Sequence, residues 1–244
     1  MMKQEADLDN EKQIYLTCEK YYVFELLIFA AGMMGAYTFN LRGGVFCNAQ
    51  TANVVLMALA FGKDEIANGV YYLIPISAYI AGAAISEILP RRVRKIHFLR
   101  WDTYLVGFEM LILFLIGFLP LSVPVRIVQV LINFICSMQY NTFRQAEGIP
   151  MATTFVTNHI RQIGIWLAKA ADNKDVKAFQ RVWKHLRMVG VFFLGGLILT
   201  MCCHLLEEKA IWLALAPLAI SFFIMMHADR SFENSRLAIK PHGH

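Results

Sequence analysis

The stretch RGGVFCNAQTANVVLMAL, Arg42 to Leu59, lies between two apolar runs yet carries Arg42, Asn48, Gln50, Thr51 and Asn53. Gly43-Gly44 opens it, and glycine turns where other residues are strained. Beyond Asn53 only Val54 to Gly62 stay free of polar side chains before Lys63 and Asp64. Nine helical residues cover about 14 Å, roughly half of a hydrocarbon core. Extended back to Cys47 the helix reaches about 16 residues, at the margin of a span. A second stretch, PMATTFVTNHIRQIGIWL from Pro150 to Leu167, repeats the arrangement. Thr51-Ala52-Asn53 and Thr157-Asn158-His159 fall at matching places 106 positions apart. The two stretches read as paired half-helices at the centre of an inverted repeat.

Around them the chain is apolar: 57% of its 244 residues, with a mean hydropathy of +0.48. Soluble domains hold about 45–50% even with glycine counted. Runs near 18 apolar residues recur, so a polytopic membrane protein is expected. Six spans are predicted: 21–40, 69–89, 103–119, 125–143, 188–206 and 210–226. Gly32, Gly35 and Ala36 in the first, and Ala78, Gly82 and Ser86 in the second, suit close helix approach. Pro90-Arg91-Arg92 stops the second, and Asp172 to Arg187 reads as a charged segment. Residues 1–22 carry no signal-peptide pattern and read as a polar tail.

Lysine and arginine decide which segments cross. With both short helices re-entrant and the N-terminus cytoplasmic, all but four of the 23 cations face inside. Arg42, Lys63, Arg126 and Lys209 are the exceptions. Eight crossings would instead carry Arg91, Arg92, Arg94, Lys95 and Arg100 outside. The first topology gives three crossings per half, an odd number, so the halves are inverted. The expected fold is therefore an all-α membrane bundle, six full spans plus two re-entrant helices in a 3+3 inverted repeat. Residues 1–22 and 229–244 are cytoplasmic tails; 23–122 and 123–228 are the two repeats. Broken helices near the midplane of such repeats are where transporters bind solute.

The segments GAYTFNLRGGVFCNAQTANVVL, YYLIPISAYIAG, SMQYNTFRQ and ATTFVTNHIRQ resemble the YoaK family of uncharacterised bacterial membrane proteins. The resemblance runs from about Gly32 to the last span and implies a multi-pass protein of the bacterial inner membrane. Ala52 and Asn158 stand where the family pattern has glycine, and His159 where it has a second asparagine. Gly35 stands where an aspartate commonly precedes Ala-Tyr-Thr.

Gln50, Thr51 and Asn53 offer neutral donors and acceptors at a helix start, where unpaired N–H groups favour anions. The same residues serve equally as helix caps and interhelical hydrogen bonders. Thr157, Asn158 and His159 carry the same two readings; His159 can also change charge near neutral pH. Glu109 lies about 10 Å inside its span, where an ionisable group is costly. It reads either as a functional carboxyl or as one hydrogen-bonded to Asn133 or Gln129. Gln139, Asn141 and Arg144 end a span just before the second motif, to brace it or to line an inner vestibule.

No HExxH, Walker loop or GxSxG is present, so enzymatic activity is not expected. Adjacent Cys202, Cys203 and His204 point about 100° apart on a helix, so no metal site is expected. No cofactor and no nucleic acid is expected either. The basic segments 91–100 and 172–187 favour anionic lipid. The sequence points to a carrier or channel for a small polar or weakly anionic solute. A non-transporting membrane scaffold or sensor is the alternative.

Overall fold

A computed structural model describes residues 15–93, 97–173 and 176–242. Among the described residues its regular structure is helical apart from one small hairpin. The helices are α1 (Tyr21–Leu41), α2 (Gln50–Gly62), α3 (Ile66–Tyr71), α4 (Leu73–Val93), α5 (Trp101–Ile116), α6 (Val125–Thr142), α7 (Thr157–Asn173), α8 (Val176–Leu206) and α9 (Leu215–Arg230). A 3₁₀ stretch, Glu207–Ala214, links α8 to α9. Strands β1 (Gln145–Ala146) and β2 (Ile149–Pro150) pair antiparallel between α6 and α7. Their turn residues Glu147 and Gly148 have φ of 48° and 75°, the left-handed pair that two-residue hairpins favour.

Among the described residues three stretches are long and apolar enough to cross a membrane: Tyr21–Leu41, Ile66–Val93 and Val176–Arg230. The last holds two of the six expected spans. Of the remaining two, α5 is 16 residues long, and α6 is interrupted by buried Gln129, Asn133 and Gln139.

Local chemistry explains the breaks. α1 ends at Arg42, and Gly43 and Gly44 follow with φ of 91° and 67°. The expected span from Gly69 divides at Tyr72. Pro75 cannot donate to the carbonyl of residue 71, but it suits the first turn of a helix starting at Leu73. Pro90, expected to stop the helix, sits in its last turn, and α4 runs on to Val93. The charged segment 172–187 is helical on both sides of residues 174 and 175 and joins the apolar run as one 31-residue helix.

Side-chain ties sort the segment ends into two groups. At one end Arg42 is fully buried and donates to Tyr37 Oη (3.0 Å) and to the carbonyls of Pro120 (3.1 Å) and Leu119 (2.6 Å). Gln129 donates to the Arg42 carbonyl, and Tyr37 donates to that of Glu208. Arg42, counted by charge among the outer cations, bridges the ends of α1 and α5. At the other end buried Arg100 pairs with Asp229 at 3.2 Å and Glu233 at 3.5 Å. Glu233 accepts from Thr17, and Glu147 N–H donates to the Glu19 carbonyl. Leu16 to Glu19, expected in the polar tail, are buried there. Chain direction thus alternates through α1, α4, α5, α6, α8 and α9.

Two helix pairs pack most closely. α1 packs along α8, and α4 along α6; α5 packs on α9. Glycine sets the close approach. A Cβ at Gly195 would stand 2.2 Å from the Phe29 carbonyl oxygen, and one at Gly32 2.1 Å from that of Phe192. A Cβ at Gly82 would stand 2.5 Å from the Phe134 carbonyl oxygen. Main chains therefore touch directly in both pairs.

Candidate functional site

The loop before α2 dips into the bundle, and α2 then runs back to the end it entered from. Asn48 in this loop is buried against Gly35 of α1. Gln50 donates to Asn133 Oδ1 of α6, and Asn53 Nδ2 donates to Gln50 Oε1 at 2.9 Å. Asn133 in turn donates to the Gln129 carbonyl at 2.7 Å. Asn53 is fully buried, and its Oδ1 has no partner among the described residues.

The second motif is built differently from the expectation. Met151 to Val156 is not helical, and α7 starts only at Thr157. A run of Thr153, Thr154, Phe155 and Val156 after Pro150 favours extended backbone over helix. Met151 to Thr154 are buried. Gln139 Nε2 reaches the Thr153 carbonyl at 3.3 Å, and Asn48 Nδ2 donates to the Thr154 carbonyl at 2.7 Å. The two motifs therefore meet, and Asn48 to Thr154 is the contact. Their separation, 106 positions, equals that of Thr51 and Thr157. Asn48 was visible in the first motif but not singled out; the repeat spacing is the signal that marks it.

Around this contact several buried polar atoms have no partner among the described residues: Asn53 Oδ1, Gln139 Oε1, Thr153 Oγ1 and Thr154 Oγ1. Such groups cost about 1–3 kcal/mol each when unsatisfied.

His159 is fully buried. Its Nε2 lies 2.8 Å from the Ala152 carbonyl, so that nitrogen carries the proton and donates. Its Nδ1 lies 3.0 Å from His185 Nδ1. In the neutral pair His159 accepts there from His185. Burial holds the His159 imidazole below its ordinary pKa, opposed by the Ala152 carbonyl. His185 falls in the segment read only as charge, and nothing in its spacing announced the pair.

The other expected residues stand apart. Thr51 and Thr157 are exposed on the first turns of α2 and α7. Asn158 is half-buried and accepts from Arg161 at 3.0 Å. Glu109 is fully buried, but neither carboxylate oxygen meets a hydrogen-bond partner among the described residues. The expected bond to Asn133 or Gln129 is absent, because Asn133 serves Gln50 and Gln129, and Gln129 serves Arg42 and Tyr71.

Two open cavities flank the meeting point. One, of about 340 Å³, is lined by Tyr140, Asn141, Arg144, Met151, Ala152 and Asn158. The other, of about 460 Å³, is lined by residues that include Lys63, Tyr71, Arg126 and Gln129. Both touch α6, at positions a dozen residues apart, or about 18 Å of helix. Asn141 and Arg144 both line the first cavity and brace α4, through Ser86 at 2.9 Å and Glu87 at 2.9 Å. Among the described residues no group of three or more His, Cys, Asp or Glu stands ready for a metal ion.

No curated protein and no solved structure matches this chain. A family model, described as a protein of unknown function (DUF1275), matches residues 23–224, and the chain belongs to that family.

Proposed function

We propose that this chain is a multi-pass carrier or channel for a small polar or weakly anionic solute, with its site where the two broken helices meet. The observation that carries the reading is the Asn48–Thr154 contact. It is ringed by unpaired buried acceptors and hydroxyls and flanked by cavities near opposite ends of α6. Unpaired groups of this kind are offered to a ligand or to water. Buried Gln129, Asn133 and Gln139 are spaced along α6 between the two cavities.

The reading includes a 3+3 inverted repeat of six crossings, in the bacterial inner membrane with both termini cytoplasmic. Exchanging α1 with α6 and α4 with α8 turns one close pair into the other, which supports the repeat. The glycine seats exchange likewise: Gly195 on the Phe29 carbonyl corresponds to Gly82 on that of Phe134. Repeats of this design move solute by rocking one half against the other around a fixed site.

Accessibility tests it. Of the five cysteines four are buried and Cys202 is partly exposed, so a Cys202→Ser, Cys47→Ala chain is a suitable background. Thr153→Cys should react with a membrane-impermeant thiosulfonate from the α6 C-terminal side, and Asn53→Cys from the opposite side. Both should react faster than buried Cys136. If neither reacts from either side, no route reaches the motifs and the chain is a scaffold.

A further inference from the structure

Helix α8 carries a second pattern, on the face away from the site. Val176, Phe179, Trp183 and Leu186 are all exposed. Their steps of three, four and three continue with four, three and four through Gly190, Phe193 and Leu197. Alternating steps of three and four bring two helices together along one apolar seam. The upper part of this stripe lies in the apolar run Met188 to Leu206, where lipid can cover it. The lower part lies among Lys177, Arg181, Lys184 and Arg187, which keep it out of hydrocarbon. There Trp183 is 65% exposed and Val176 70%. Large apolar side chains gathered along one exposed face mark an interaction surface.

We propose that this face is covered by a second copy of the chain, with the two α8 helices parallel about a two-fold axis along the membrane normal. Continuity of the stripe selects this occupant. A soluble partner would cover only the lower part and lipid only the upper. A second copy, inserted in the same sense, covers both, and its helix is necessarily parallel. Gly190 sits in the middle of the seam, and a Cβ there would meet nothing within 4 Å among the described residues. That gap is open to a neighbouring helix, as small residues at membrane helix contacts are. Charge agrees. Lys177, Arg181 and Lys184 fall on the back of the heptad. The seam is flanked by Gln180, Val182 and Arg187, and Arg187 is neutralised by Glu25. An isologous two-fold contact of this kind closes on itself.

The test is disulfide trapping in native membranes in a Cys202→Ser background, joined to a mass measurement in detergent. Leu186→Cys and Phe193→Cys should each give a covalent dimer on mild oxidation, and Lys177→Cys should not. The double variant Phe179→Glu, Trp183→Glu changes only exposed side chains, so it should melt like the parent. It should run as one chain, with dimer dissociation raised about a hundredfold. Equal trapping at Lys177→Cys would mean random collision and overturn the proposal. Trapping at Leu186→Cys but not Phe193→Cys would do the same, indicating contact below the membrane only. A parent chain of single-chain mass that traps nowhere, or a double variant that stays dimeric, would also overturn it.

Discussion

Glu109 is the most isolated ionisable group among the described residues: fully buried, with no hydrogen-bond partner on either oxygen. Sequence could mark it, because depth along a helix is countable. Sequence could not assign its neighbours. Gln129 and Asn133 offered hydrogen bonds, but the broken first motif takes them up through Gln50 and Arg42. That competition exists only in three dimensions. A neutral amide keeps the shape of a protonated carboxyl, so Glu109→Gln should insert, accumulate and melt within about 1 kcal/mol of the parent. Glu109→Lys places an ammonium where it costs about 2.5–3.5 kcal/mol or more, and should lower membrane yield and broaden the size-exclusion peak. A lysine variant indistinguishable from the parent would mean that the site opens to water or lipid.

At the scale of elements, the six apolar runs fall on helical segments, but polar punctuation misled at three points. Pro90 did not end α4, because a proline in the last turn removes a single hydrogen bond. Asp172 to Arg187 read only as charge, yet its apolar residues at steps of three and four belong to a helix continuous with the next run. Thr153 to Val156 looked like the start of a half-helix, but with β-branched residues after Pro150 the chain there is irregular and α7 starts only at Thr157. The first motif was read more faithfully, since Gly43-Gly44 forces its break. Glycine function was half legible. Small residues at Gly32 and Gly82 announced close packing, but nothing in the sequence separates them from Gly164 and Gly190. The structure does: a methyl added at either of those two would meet no described atom within 4 Å, whereas Gly195 and Gly82 sit on carbonyl oxygens. Gly195→Ala and Gly82→Ala should therefore each spread a helix pair and lower thermal stability by about 1–3 kcal/mol. Gly164→Ala, in an open helical position, should raise it by up to about 1 kcal/mol. Melting of the three variants in one detergent decides. Equal effects at all three would remove the glycine seats as the reason the pairs pack closely.

For the whole molecule, side-chain ties sort the described segment ends into two groups, and the charge pattern predicts which group faces which side of a membrane. The first turn of the described chain, the segment around Arg100, the end of α6 and the end of α9 gather at one end through Glu19, Arg100 and Glu233. The end of α1, the Pro120 turn and the start of α6 gather at the other through Arg42 and Gln129. Most of the described cations belong to the first end, and that excess predicts that it faces the cytoplasm. Neither α2 nor α7 joins the two ends, so the expectation of six crossings, and not eight, is the one to test at the segment before Arg100. Single cysteines replacing Asn68 and Ser122 should thus react with an impermeant maleimide added outside intact cells. A cysteine replacing His97 should react only after the membrane is opened. His97 is the informative position, because six crossings put it inside and eight put it outside. Labelling there from the outside would move the Arg100 clamp across the membrane, remove the inverted relation between the halves, and with it the shared site at Asn48 and Thr154.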